Sequence, residues 1–253
     1  MSSIAASILI SLVLVVVPLR AVGQRVADSE IRDTLFGYNS TAIQREHLLR
    51  GFGMDAELAK LYAFDDNDTN PNKVEWVALR QVNGAQTRAL FFPCRDYMYG
   101  ARVLLLTNVK GAWKMQSEQG FDCHYDFNVS MQVVSLTSSN RDDLLIRHVC
   151  IGHGTGYVEQ EAELFRITDN KLQRVWREND LLKEFGWPET ASGELNTSTF
   201  LATAPGILEE TRESQKIDGD GEPLNSAVHV ERRTFHWSAE KRTLLPSPFR
   251  RLR

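Results

Sequence analysis

The sequence predicts a mainly β protein of antiparallel sheets behind a short helical N-terminal segment, and three observations carry that expectation. From Val74 onward the chain reads as strand-like runs, VEWVALRQV, TRALFF, RVLLLTNV and AWKMQ, punctuated by turns at Gly84 and Gly111. The same grammar returns in LLIRHV, ELFRIT and KLQRVWR, and again in AVHVERRTFHW and RTLLP. Before Asp65, by contrast, the apolar residues recur at helical spacing. At 253 residues, 42% hydrophobic and 25% charged, the chain has enough material for a real core.

Taken in order, the elements begin with an almost wholly apolar run from Ile4 to Leu19, followed by Arg20 and the small residues of Ala21-Val22-Gly23. That pattern reads as a secretory signal peptide over 1–23, cut before Gln24. The run is shorter than the roughly 20 residues that cross a bilayer, so a retained anchor is the second reading and no membrane span remains after cleavage. Residues 24–64 form the helical segment. Ser29 caps a turn carrying Ile31 and Leu35, and Thr41 with Gln44 forms a capping box before His47, Leu48 and Leu49, with Gly51 and Gly53 ending that helix. A third helix starts near Asp55, its stripe being Met54, Leu58 and Leu61, and closes at Ala63. Residues 65–253 form the antiparallel β domain, with one further short helix at LLKEF, capped by Asn179 and stopped by Gly186.

Three imperfect units recur in that domain, each with a polar loop, an apolar strand and a turn-linked strand pair bearing Trp113, Trp176 or Trp237. The loops are Asp65-Asp66-Asn67-Asp68, Ser138 to Asp143, and Asp218-Gly219-Asp220-Gly221-Glu222. This loop-then-strand feature resembles a degenerate form of the FG-GAP or VCBS-type β-blade of secreted propeller proteins. The resemblance implies calcium held by Asp65, Asp66 and Asp68, or by Asp218, Asp220 and Glu222, and a secreted interaction fold without enzymatic activity. Asn140, Arg141 and Asp142 depart from that pattern, having few oxygens. Neither acidic loop is an EF-hand, whose twelfth position needs a glutamate where Trp76 or His229 stands here. An antiparallel sandwich accounts for the same strands, and three units are fewer than a closed propeller ring uses.

The stretch from Leu144 to Ile167 concentrates the chemistry. Gly152-His153-Gly154-Thr155-Gly156 follows a strand, as a phosphate loop would, but strand alternation and carboxylates come after it in place of a helix. Turn geometry explains the glycines better. His148 and Cys150 share a strand face, so with His153, and with Cys123 or His124, they form a candidate zinc-type site; the same face carries Leu144 and Ile146 and is equally a core face. Glu159, Glu161 and Glu163 share one face of the next strand, where alternation with Ala162 and Leu164 reads as solvated, outward carboxylates. Cys94, Cys123 and Cys150 allow at most one intramolecular disulfide; Cys94 with Cys123 is our choice among three open pairings. Sequons begin at Asn39, Asn67, Asn128 and Asn196.

Charge and motif content bound the function. A net charge of -4 gives no basic excess for nucleic acid, and the clustered Arg250, Arg251 and Arg253 read as a short solvated tail. No Gly-x-Ser-x-Gly, His-Glu-x-x-His or Walker loop is present. The expectation is a secreted or periplasmic binding or structural module, not an enzyme, whose partner is a protein or cell-envelope component and which needs no cofactor beyond calcium or zinc. The second reading is a secreted hydrolase or metal-binding protein centred on His148, Cys150 and His153.

Overall fold

The computed structural model describes residues 28–37, 39–63, 74–93, 100–121, 129–151, 157–184, 193–218 and 223–252, with backbone alone at 149–151, 157–159 and 179–184. The predicted signal peptide lies outside these residues, as does the 64–73 acidic loop. No helix among the described residues is long and apolar enough to cross a membrane.

Three helices come first: α1 (Asp28–Phe36), α2 (Ala42–Phe52) and α3 (Ala56–Tyr62). The Thr41/Gln44 capping box forms as expected, with Thr41 N donating to Gln44 Oε1 at 2.8 Å and Gln44 N to Thr41 Oγ1 at 3.3 Å. Gly53 ends α2 in the left-handed region at φ 101°, whereas Gly51 lies within the helix and does not stop it. Asp55 caps α3 through the backbone N–H groups of Glu57 and Leu58.

Among the described residues thirteen strands then follow, twelve of them in three consecutive four-stranded antiparallel meanders, of which the second and third join in one nine-stranded sheet. The first is β1 (Glu75–Leu79), β2 (Thr87–Phe92), β3 (Ala101–Val109) and β4 (Ala112–Phe121). The second is β5 (Val129–Val134), β6 (Asp143–Ile151), β7 (Tyr157–Thr168) and β8 (Lys171–Glu184). The third is β9 (Gly193–Ala204), β10 (Ile207–Ile217), β11 (His229–Ser238) and β12 (Thr243–Pro246), with β13 (Arg250–Arg251) pairing beside β11. Among the described residues a single backbone pair, Lys183 with Leu195, joins the second meander to the third. Residues 181–184 of the segment predicted as a helix at LLKEF belong instead to β8, because Leu181, Lys183 and Glu184 pair with Glu159, Val158 and Tyr157 of β7; Phe185 and Gly186 lie outside the described residues. Strand pairing there overrides a local helix pattern.

The layers stack face to face: helices, first meander, second meander, third meander. Period-2 alternation sends Leu90, Phe92, Leu104 and Leu106 toward the helices, where Trp76 and Trp113 also pack. Ala89, Phe91, Val103 and Leu105 go the other way, onto Leu144, Ile146 and Phe165 of the second meander. Both faces being buried explains the unbroken apolar runs LFF and VLLL, which in a half-exposed strand would alternate with polar residues. On the far side of the second meander Leu145, Ala162, Leu164 and Trp176 meet Phe200, Leu208 and Phe235 of the third. The stack ends on a polar surface where Arg232 is exposed and pairs with Glu209.

Tight turns gather at one end of this stack. Gly84, Lys110, Gly111, Asp169, Asn170, Gly206 and Arg242 all have positive φ there. Asp169 and Asn170, at φ 50° and 59°, make the two-residue turn whose twist matches a β-hairpin. Two acids of the 135–143 turn region are spent on the fold at the same end and hold no calcium-type geometry. Asp142 accepts from Arg80 Nε at 3.0 Å, from its Nη2 at 2.8 Å and from its backbone N at 2.7 Å, clasping the first meander to the second. The fully buried Asp143 accepts from Leu136 N at 3.0 Å, Thr137 N at 2.7 Å and Thr137 Oγ1 at 2.8 Å. Burial pushes its carboxyl above the ordinary range, against the opposing pull of these hydrogen bonds.

Candidate functional site

Two places carry concentrated polar chemistry, and the first is the face of the second meander that meets β4. Antiparallel register sets His148 of β6 directly opposite Glu161 of β7, and the imidazole Nε2 lies 2.5 Å from Glu161 Oε2. Glu163, two residues along the same face, accepts from Arg174 Nη1 at 2.6 Å, while Arg177 pairs with Glu161. The His148 ring stands edge-on to Phe121 at 5.7 Å, and its Nδ1 is buried without a hydrogen-bond partner among the described residues. Ligand atoms of His148, Glu161 and Glu163 lie within 4.8 Å of one another.

The outward, solvated position expected for the glutamates is therefore corrected: Glu161 is 8% exposed and Glu163 only 3%. Alternation does place the two glutamates on one face, but that face is an interface between sheets. An imidazole and two carboxylates are groups that zinc accepts. Each carboxylate is nevertheless already neutralised by a guanidinium, so a cation would have to displace Arg174 and Arg177.

The second place is the tight-turn end of the stack. There the ends of β7, β8 and β11, the 135–142 turn and the β11–β12 turn surround a cavity of about 600 Å³. A neighbouring cavity of about 430 Å³ shares Arg141 and Thr168 with it and is closed by Gln81, Val82 and Asn83 of the β1–β2 turn. Trp237 forms part of the larger wall, with the Arg166 guanidinium 6.0 Å from its ring centroid. Arg166 Nε, Thr168 Oγ1 and Gln81 Nε2 are each buried with no hydrogen-bond partner among the described residues. Leaving such groups unpaired costs about 1–3 kcal/mol each, which makes three of them around adjoining cavities a notable concentration.

Of the residues singled out from sequence, His148 is placed as described. Cys94, Cys123, His124, His153, Asp220 and Glu222 lie outside the described residues, as does the Cys150 side chain. Asp218 is half-buried just beyond β10. The cavity residues went unnoticed because they come from four separate stretches of chain and form no motif.

No family model matches the chain, and no curated protein matches it. Among solved structures it is similar to an α-L-arabinofuranosidase from Fusarium graminearum in complex with an iminosugar inhibitor, with 11% identity, 73% of this chain and 50% of that one covered, and a TM-score of 0.37. A mutant of that enzyme with an iminosugar inhibitor aligns at a TM-score of 0.34 over 72% of this chain and 49% of that one, again at 11% identity. The GH93 α-L-arabinofuranosidase of the same organism with arabinobiose gives 0.33 over 66% and 46%, at 11% identity. The chain spans about half the length of these enzymes.

Proposed function

We propose that the chain is an exported binding module whose ligand occupies the paired cavities at the tight-turn end. The observation that supports this reading is the make-up of the walls. Among the described residues they offer arginine, lysine, threonine, glutamine and asparagine side chains with one tryptophan face; the larger wall carries no histidine, cysteine or carboxylate, and the smaller carries one acid, the exposed turn residue Asp169. Catalysis by proton transfer or covalent attack needs a base or nucleophile at the substrate, whereas recognition needs only fixed donors and an apolar face. Export is supported by the apolar 4–19 run and the small residues before Gln24. A panel of saccharides, organic acids and nucleotides, titrated against intrinsic fluorescence, tests the reading. At least one member should change the emission of the wild type, and Trp237→Phe should remove that change. Turnover of a panel member by the wild type, lost in Arg166→Gln, would overturn it.

A metal-dependent or hydrolytic role at His148 is the second reading, favoured by the convergence of His148, Glu161 and Glu163. Stoichiometric zinc in the purified chain, lost in Glu161→Gln, would support it.

A further inference from the structure

We propose that the larger cavity is an anion site, taking the carboxylate, phosphate or sulfate group of a small ligand whose ring lies along Trp237. This inference rests on the binding reading above and names the ligand class for it.

The charge distribution carries the argument. Arg141, Arg166, Arg174, Lys241 and Arg242 all line this one cavity, and among the described residues no carboxylate does. The chain as a whole has net charge -4, so five cations around one space do not follow from composition. Two of the neighbouring acids are already engaged, and a third, Asp169, lies exposed on the wall of the adjoining cavity. Glu163 holds Arg174 at 2.6 Å, and the Asp143 oxygens accept from Leu136 and Thr137. Arg166 shows the imbalance most directly. Burial, and then the like charges of Arg141 and Arg242, push its guanidinium below its ordinary range, and Asp143 offsets this only in part.

Hydrogen-bonding capacity points the same way. Among the described residues Arg166 Nε and Thr168 Oγ1 have no hydrogen-bond partner, and both side chains line the cavity, so an oxyanion drawn in among the arginines would pair with these two buried atoms once the side chains turn toward it. The backbone of Arg242 is held at φ 53°, a conformation uncommon for a residue with a side chain, in the turn that presents Lys241 and Arg242 to the cavity. At about 600 Å³ the space exceeds what an inorganic ion fills and suits a ligand of one or two rings. The shared Arg141 and Thr168 would let its neutral portion extend toward Gln81 and Asn83.

Calorimetry and intrinsic fluorescence on the full chain test this with inorganic phosphate, inorganic sulfate, a hexuronate disaccharide and its neutral methyl ester. The charged disaccharide should bind about tenfold or more tightly than the ester, and Arg166→Gln and Arg242→Gln should each weaken it by about tenfold. Arg232→Gln, on the outer face of the third meander, should leave binding unchanged. Binding of phosphate or sulfate in place of the uronate would assign the oxyanion to a phosphorylated or sulfated ligand. Thr168→Val separates a binding role from a structural one. It removes an unpaired buried hydroxyl, so it should raise the melting temperature while weakening the anion. Equal affinity for ester and acid would overturn the anion assignment and leave the binding reading standing. Failure of all the anions at roughly 10 mM, with a neutral panel member binding, would do the same.

Discussion

The two interfaces that the second meander makes with its neighbours each bury glutamates, and they do so differently. Toward the third meander, Glu210 is fully buried and accepts from Ser198 Oγ at 2.8 Å, Arg212 Nη2 at 3.3 Å and Arg233 Nε at 2.6 Å. Arg233 reaches on to Glu178 at 2.7 Å, and its charge is held above the ordinary range because Glu210 and Glu178 outweigh the effect of burial. Arg147 Nη2 and Gln160 Nε2 both donate to Ser198 O at 2.9 Å, so the network crosses the interface several times. Toward the first meander, His148 and Glu161 make one short contact, the Nδ1 is unpaired, and the arginines that neutralise Glu161 and Glu163 are about half exposed. In one centre the carboxylate is fully paired and holds two sheets together, although Arg147 Nε at its edge is buried without a partner among the described residues; in the other the unpaired atom belongs to the central imidazole and the pairing arginines are tied to the surface. A closed network rigidifies, whereas an open one leaves capacity for a ligand or proton.

Glu210→Leu against His148→Leu breaks the comparison most sharply. Removing Glu210 takes away the carboxylate that Ser198, Arg212 and Arg233 share inside an interface, leaving Arg233 with Glu178, and should cost about 3–5 kcal/mol in urea unfolding. Removing His148 eliminates an unpaired nitrogen, keeps an apolar contact with Phe121, and leaves Glu161 paired with Arg177, so the cost should be about 1–2 kcal/mol. Equal losses for the two variants would mean that the open centre is as structural as the closed one.

Sequence legibility follows the same division between what is local and what is not. The Thr41/Gln44 box and the TRALFF strand, observed as Thr87–Phe92, were readable because their signals lie within a few residues. The strands β9 and β10 were not anticipated, since GELNTSTFLATA and ILEETRESQKI put polar residues on a face that ends in solvent and so lack an apolar run. Glu161 and Glu163 were assigned correctly to one face and wrongly to solvent. Period 2 says which side chains travel together and is silent on what they meet. The cavity was invisible for a related reason: Gln81, Arg141, Arg166 and Arg242 become neighbours only after three meanders have stacked.

Asp143 sharpens the comparison with a smaller effect, read as a slope and not as an offset. Like Glu210 it is fully buried, but its hydrogen bonds come from the backbone and hydroxyl of one turn and not from arginines. Its carboxyl is raised by burial, so the folded state holds this proton more tightly than the unfolded chain does. Stability from this group is therefore fully present below the unfolded value of about 4 and is lost as pH rises through the higher folded value. The side-chain amide of an Asp143→Asn variant would not titrate, and its oxygen can accept from Leu136 and Thr137 while its nitrogen donates to Thr137 Oγ1. The difference in unfolding free energy, variant minus wild type, should thus grow in the variant's favour as pH rises from about 4 toward neutrality, and then level off. A flat difference across that range would show that Asp143 is held ionised as firmly as the arginine-paired glutamates, and that backbone donors alone can close a buried acidic centre.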